Sequence, residues 1–139
     1  MLELEVGSIT NYLVNKAGNV KLYTDTVPTN FFVPAIYIPE PVEVDPDIDT
    51  LYTYNLKYML KVKIFHKTTQ DAYAIGTWVV NELLAERNRI PLLEIDGTKT
   101  GMYFKVICEQ LQKVDQGVVN IDIKWDSRRF YNDVSKVNI

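Results

Sequence analysis

The hydrophobic positions at the start of the chain follow a helical spacing. Steps of four, three and four residues separate the members of this set, Leu2, Val6, Ile9 and Leu13. Such spacing places them on one face of an amphipathic helix. Gly18 comes next and suits the left-handed conformation that ends many helices. Two strand-like stretches follow at residues 20–25 and 31–38, and their flanking prolines confine them to sheet edges or interruptions.

Apolar and polar residues alternate along residues 51–67 (LYTYNLKYMLKVKIFHK), which contain no glycine, proline or acid. One face carries Leu56, Tyr58, Leu60, Val62 and Ile64, and the other carries Lys57, Met59, Lys61, Lys63 and Phe65. This pattern predicts a strand with one buried and one wet face. A 15-residue strand spans about 50 Å, whereas a compact domain of this length is under roughly 40 Å across. We therefore expect either a neighbouring subunit to cover its Leu51–Tyr54 end or a bulge near Asn55 to bend it.

A second helix follows the long strand. Thr68 predicts its N-cap, and Asp71 stands at the third position of a short capping box. The expected buried stripe consists of Ala72, Ile75, Gly76, Val79, Val80 and Leu83. Asn88 and Pro91 are expected to end the helix.

The last part of the chain predicts β-structure. Residues 92–95 form a short strand, and residues 102–125 form a long hairpin in which Gly117 supplies the positive φ of the loop. Residues 126–139 show no sustained period and are interpreted as a C-terminal arm. The sequence thus predicts one α+β domain over residues 1–139, with an antiparallel or mixed sheet, two helices packed on one face and a long hairpin near the C-terminus.

Composition narrows the functional classes. The formal net charge of the 139 residues is -3, which argues against a dedicated duplex-DNA binder. The single cysteine, Cys108, forms no internal disulfide, and no apolar run approaches the roughly 18 residues that a membrane helix needs. The first residues carry acids rather than a basic leader, so we expect no signal peptide and folding in a cytoplasm.

Candidate chemistry is sparse. His66 is the one histidine, so a Cys–His hydrolase would have to pair it with Cys108. Cys108 shares its strand face with Phe104 and Val106 and is better interpreted as a small buried apolar residue. We therefore expect no enzyme, no cofactor and no metal site.

Residues 39–50 (PEPVEVDPDIDT) contain three prolines and five acids and predict an extended loop. Asp45, Asp47 and Asp49 alternate as in a calcium loop, but Thr50 and Leu56 stand where that loop needs Gly and Glu. We interpret the segment as a solvated acidic loop that faces a neighbour's basic strip.

Lysines line one face of the long strand. A solvated face, a subunit contact and a single-stranded nucleic-acid platform with Tyr52, Tyr54 and Tyr58 are the alternatives for this strip. The candidate subunit-interface residues are Asp45, Asp47, Asp49, Tyr52, Tyr54, Lys57, Lys61, Lys63, Arg128 and Arg129.

Four stretches carry a family resemblance: FFVPAIYIPEP (31–41), KVKIFHKTTQDA (61–72), IPLLEIDGTKTG (90–101) and NIDIKWDSRRFY (120–131). They combine a proline-bounded strand, a long strand ending in Phe before a polar helix cap, and a closing hairpin that ends at a Trp and an aromatic residue. With this pattern the chain resembles the tail-terminator (tail-completion) proteins of long-tailed bacteriophages and phage-like particles. Other small neck and tail proteins share this build and form the alternative.

The resemblance implies a structural virion protein that forms a ring, expected to be hexameric. The ring would cap the tail tube, end its polymerisation and offer a surface to the head connector. Its expected partners are further copies of itself, the tail tube protein and the head–tail connector or neck protein, with DNA only as passing cargo and no membrane. The resemblance places it at the head-proximal end of the tail, after assembly in the host cytoplasm.

Overall fold

The computed structural model describes residues 2–24, 26–48 and 53–130. Within these ranges the elements are α1 (Leu2–Ala17), β1 (Lys21–Tyr23), β2 (Ala35–Tyr37), β3 (Val42–Ile48), β4 (Thr53–Phe65), α2 (Thr69–Ala85), β5 (Arg89–Leu93), β6 (Lys99–Asp115) and β7 (Val118–Phe130). The described strands join in one sheet of order β1-β2-β4-β7-β6-β5, and β3 pairs with β4 outside this path. Only β1 and β2 are parallel among the described pairs, which makes the sheet mixed, as the sequence predicts.

The long strand β4 is paired by its own chain along the whole of one edge and along two stretches of the other. On one edge, β7 pairs with it residue by residue from Thr53–Phe130 to Phe65–Val118 without a register shift. On the other edge, β2 covers residues 63–65 and β3 covers residues 54–59. The expected bulge near Asn55 is therefore wrong, because the bulge lies in β3, between Glu43 and Pro46. The N-terminal part of β4, residues 53–57, belongs to a three-stranded ribbon with β3 and with residues 126–130 of β7.

The two helices pack on the same face of the sheet, as predicted. The alternation of β4 and β7 supplies the sheet side of the core: Tyr58, Leu60, Val62, Ile64, Val119, Ile121, Ile123 and Trp125. The helix side of the core consists of Ile9 and Leu13 of α1 and the buried stripe of α2. Burying each such aliphatic side chain contributes roughly 1.5–3 kcal/mol.

Polar contacts fix α1 in place. The indole Nε1 of Trp125 donates to Glu5 Oε1 at 3.1 Å, and the backbone N–H of Leu93 donates to Ser8 Oγ at 2.8 Å. Lys16 Nζ lies 2.7 Å from Glu86 Oε1 and joins α1 to the end of α2. These bonds tie α1 to β7, β5 and α2 at once.

The predicted helix caps are confirmed. Gly18 has a φ of 86° and donates to the carbonyl of Val14 at 3.1 Å. Thr68 has an extended backbone, and its Oγ1 accepts from the N–H of Asp71 at 3.1 Å. The other end of α2 comes earlier than expected, at Ala85, because Arg87 and Asn88 adopt positive φ angles of 62° and 59°.

Two expected irregular segments are strands. Residues 39–50, predicted as a loop, contain β3, whose outer edge has no partner among the described strands. A proline and several acids are compatible with such an edge. The predicted arm, residues 126–139, begins as the end of β7, because residues 126–130 pair with residues 53–57 of β4. The rest of that arm lies outside the described residues.

Candidate interaction surfaces

The end of the three-stranded ribbon brings together several predicted interface residues. Asp47 of β3 lies opposite Asn55 of β4, and Asn55 lies opposite Arg128 of β7. In the next row, Tyr54 lies opposite Arg129. The backbones of Asp47, Arg128 and Arg129 therefore lie at the same end of the sheet. Tyr52 and Asp49 fall outside the described residues, and of Asp45 only the backbone is described, within β3.

The lysine strip of β4 is interleaved with acids. Lys57 and Lys61 are exposed on the face of the sheet opposite the helices, and Lys63 is half-buried there. Lys57 lies directly opposite Asp126 on β7, and the next lysine lies directly opposite Asp122. Opposite charges at such cross-strand positions attract one another. The strip therefore presents less net positive charge than its sequence indicates.

The aromatic platform that the nucleic-acid interpretation needs is incomplete in the described residues. Tyr58 is buried, and its ring stacks on that of Trp125 with centroids 5.8 Å apart. A side chain held in this way cannot stack on a base. Of Tyr54 only the backbone is described, within β4, and Tyr52 lies outside the described residues.

The pairing of β5 with β6 creates a basic edge that the sequence analysis missed. Arg89 lies directly opposite Lys105, and its guanidinium Cζ is 5.6 Å from the centre of the Tyr103 ring. Arg87 lines the same shallow depression of about 400 Å³. Because the neighbouring Val106 is buried against the helices, Lys105 faces the other side of the sheet, and the alternation along β6 can be predicted from the sequence. The pairing of Lys105 with Arg89 cannot be predicted in this way, because it depends on the register between β5 and β6.

A groove with acidic margins lies at the other end of the strand order. It has a volume of about 630 Å³ and runs between α1 and the segment that joins β2 to β3. Its lining residues are Glu3, Val6, Gly7, Thr10, Thr24, Ile38, Pro39, Glu40 and Pro41. Glu3 and Glu40 are its charged members, and the exposed Glu43 follows at the start of β3. This groove also escaped the sequence analysis, since no local pattern joins residue 3 to residue 40.

The outer face of α2 forms an uncharged aromatic surface. Tyr73 and Trp78 are 43% and 55% exposed and line a shallow depression with Thr77 and Asn81. Large exposed aromatic rings are enriched at protein interfaces. The helical spacing predicted the buried stripe of α2, but the sequence analysis did not identify the opposite, aromatic face as a candidate surface.

His66 and Cys108 are not brought together. The His66 backbone is bonded to that of Gly117, whereas Cys108 lies opposite Ile123, six residues and roughly 20 Å further along β7. His66 Nδ1 accepts the N–H of Lys67 at 2.8 Å. Burial raises the pKa of the Cys108 thiol to about 11, so the thiolate needed for nucleophilic attack is disfavoured.

No three His, Cys, Asp or Glu side chains cluster as metal ligands among those that the structure describes. Asp45, Asp47 and Asp49 are not in that set, so the interpretation of their segment stays a prediction. None of the described helices is both long and apolar enough to cross a membrane.

The fold and its surfaces define a class of protein, namely a small α+β domain whose candidate sites are docking faces. Its sequence is 33% identical over 128 residues to the phage-like element PBSX protein XkdJ of Bacillus subtilis (strain 168), an alignment that covers 92% of this chain and 86% of that protein. It is 34% identical over 127 residues to the uncharacterized protein YqbJ of the same strain, covering 91% of this chain and 86% of YqbJ. The chain belongs to the family that includes XkdJ and YqbJ. No protein-family profile matches the sequence. The relationship to XkdJ points to a phage-derived protein.

Proposed function

We propose that this protein is a structural component of a phage or phage-like particle and that it acts as the tail terminator. The observation that carries the proposal is its similarity, over nine-tenths of the chain, to a protein of a phage-like element. The predicted resemblance to tail terminators supplies the specific role. The strand bounded by Pro34 and Pro39, the long strand ending at Phe65 and the closing hairpin β6–β7 all occur in the fold.

The proposed mechanism is geometric. Copies of the chain form a ring, expected to be hexameric, on the last layer of the tail tube at the head-proximal end. One ring face imitates a tube subunit and binds the tube. The other face cannot accept another tube subunit and instead binds the head–tail connector or neck protein. The protein performs no reaction and uses no cofactor in this role.

Two features support this role physically. The ribbon end is formed by β3, β4 and β7 and the aromatic face by α2, so different elements are available to contact different partners. Lys57 and Lys61, which lie opposite aspartates, offer few unbalanced charges to a phosphate backbone, which suits a ring through which DNA must pass without being held. Tail growth would take place in the host cytoplasm.

Deletion of the gene from a phage or phage-like element that carries it tests the proposal. A terminator's loss leaves tube polymerisation uncapped, so electron micrographs should show overlong, variable tails that are not joined to heads. Plasmid-borne wild-type protein should restore a narrow length distribution, and immunogold labelling should mark the head-proximal end. Tails of normal length that fail to join heads would assign the protein to the neck instead. Particles of normal length and normal joining would refute both structural roles.

A further inference from the structure

We propose that copies of this chain associate head to tail through charge complementarity. The basic edge, defined as Arg87, Arg89, Tyr103 and Lys105, is seated in the acidic groove beside α1 of the next copy, defined by Glu3 and Glu40. This inference rests on the proposed function only where the contact closes into a ring. The contact itself is argued from the two surfaces.

The basic edge is a compact patch whose described lining contains no acid, and Lys105 also lines a neighbouring depression with Lys57, Lys124 and Asp126. Arg87, Arg89 and Lys105 line this depression with Tyr103, which is 58% exposed and whose ring contacts the Arg89 guanidinium. The patch therefore combines positive charge with the exposed aromatic ring of Tyr103. Arginine and tyrosine are both enriched in protein interfaces. In a chain with a net charge of -3, such a patch stands out.

The acidic groove offers the matching surface. Its charged side chains are both carboxylates, and its apolar walls include Val6 and Ile38. Glu3 is exposed in the first turn of α1, and Glu40 is exposed in the segment before β3. An anionic partner would be repelled from this groove, whereas a cationic edge with an aromatic side chain suits both its charge and its walls.

The positions of the two surfaces decide the geometry of association. The basic edge lies at the β5 end of the strand order, and the acidic groove lies by β1, β2 and β3 at the opposite end. Since the surfaces differ, a contact between them is heterologous and leaves one free surface on each side of a pair. Heterologous contacts propagate as closed rings where the rotation between neighbours closes, and as open filaments where it does not. A second copy of this chain is therefore the partner that both surfaces fit.

Charge reversal tests the contact. One variant carries Arg89→Glu and Lys105→Glu, and a second carries Glu3→Lys and Glu40→Lys. Sedimentation velocity up to millimolar concentration at low salt should show self-association of the wild type that salt weakens. Each variant alone should associate at least about tenfold more weakly, because like charges then meet at every joint. Circular dichroism spectra of both variants should match the wild type.

Mixing gives the decisive result. An equimolar mixture of the two variants restores opposite charges at both kinds of joint, so it should associate as the wild type does. A matched control for the first variant, Lys67→Glu with Lys113→Glu, makes the same change of net charge as that variant at exposed residues outside both surfaces and should leave association unchanged. A carbodiimide that joins amines to carboxylates should link Lys105 to Glu40 or Glu3 between isotopically distinct copies.

Three outcomes would overturn the inference: a monomeric wild type under these conditions, a mixture that stays dissociated, or a control that weakens association as much as the variants. If the wild type binds single-stranded DNA and the variant with Arg89→Glu and Lys105→Glu does not, while the two self-associate equally, the basic edge would be assigned to nucleic acid instead. The proposed function is judged separately from particle micrographs. Association can therefore hold when the tail role fails, and the tail role can hold when these two surfaces prove uninvolved.

Discussion

Gly117 is the residue at which the structure predicts the largest effect from the smallest change. It closes the β6–β7 hairpin with a φ of 72°, and a Cβ atom placed there would lie 2.5 Å from the carbonyl oxygen of His66. Its own carbonyl accepts from the His66 N–H at 2.9 Å, and its N–H donates to Thr69 Oγ1 at 2.9 Å. One residue thus joins the hairpin, the end of β4 and the start of α2.

The cost of Gly117→Ala has two parts. Left-handed backbone costs an alanine roughly 1–2 kcal/mol relative to glycine. The clash is with a backbone atom, so the hairpin has to move away from His66, and that movement weakens two hydrogen bonds worth about 1 kcal/mol each. We therefore expect a loss of about 3–4 kcal/mol in the free energy of unfolding. For a chain of this size the melting temperature should fall by on the order of 10–15 °C.

Gly97→Ala is the matched control, since Gly97 has a φ of 90° in the β5–β6 turn and no atom within 4 Å of a built Cβ. It carries the backbone strain alone and should cost about 1–2 kcal/mol. Urea unfolding followed by circular dichroism measures both variants. Asparagine tolerates the left-handed region better than alanine, so Gly97→Asn should be milder than Gly97→Ala, whereas Gly117→Asn should keep the part of the loss that comes from the clash with His66. Equal losses at Gly97 and Gly117 would refute the account based on the clash.

Three further predictions concern the core and the helix cap. Trp125→Phe removes the indole donor to the buried Glu5 carboxylate and part of a buried ring, so unfolding by urea should show a loss of about 2–4 kcal/mol, whereas the exposed Trp78→Phe should stay within about 0.5 kcal/mol. Thr68→Ala removes the α2 cap and should cost about 1 kcal/mol in the same assay, with Thr68→Ser as the conservative control. Because burial raises the pKa of Cys108 to about 11, Ellman's reagent at pH 8 should modify the folded protein far more slowly than the urea-unfolded chain, and the rate should rise with pH toward 11; equal rates would contradict the burial of this thiol.

Elements that depend on nearby residues could be predicted from the sequence. The alternation of β4 is set by side chains two positions apart, and burial of Leu60, Val62 and Ile64 confirms it. The start of α2 depends on the Thr68 side chain and an N–H three residues later. Such features are decided within a few residues, so the sequence carries them directly.

Elements that depend on a distant partner could not be predicted. Val42–Ile48 contains Pro46 and several acids, which are loop signals in isolation, and it becomes a strand because β4 supplies a partner for its inner edge. The end of β7 lacks a clean period and is a strand for the same reason. The basic edge and the acidic groove are also long-range features, since Arg89 meets Lys105, and Glu3 shares a groove with Glu40, through the sheet topology.

The pairing of β4 changes the argument for self-association. The sequence analysis expected either a sister copy to cover the Leu51–Tyr54 end of the long strand or a bulge to bend it, but β7 and β3 of the same chain pair with the described part of that end. Another edge, along β6 beyond Val106, lacks a strand partner on the side away from β7 among the described strands, and β6 carries two bulges there. Bulges of this kind hinder edge-to-edge pairing. An association built from side-chain surfaces instead of strand edges should respond to salt and to charge reversal, because screened charges contribute to it directly.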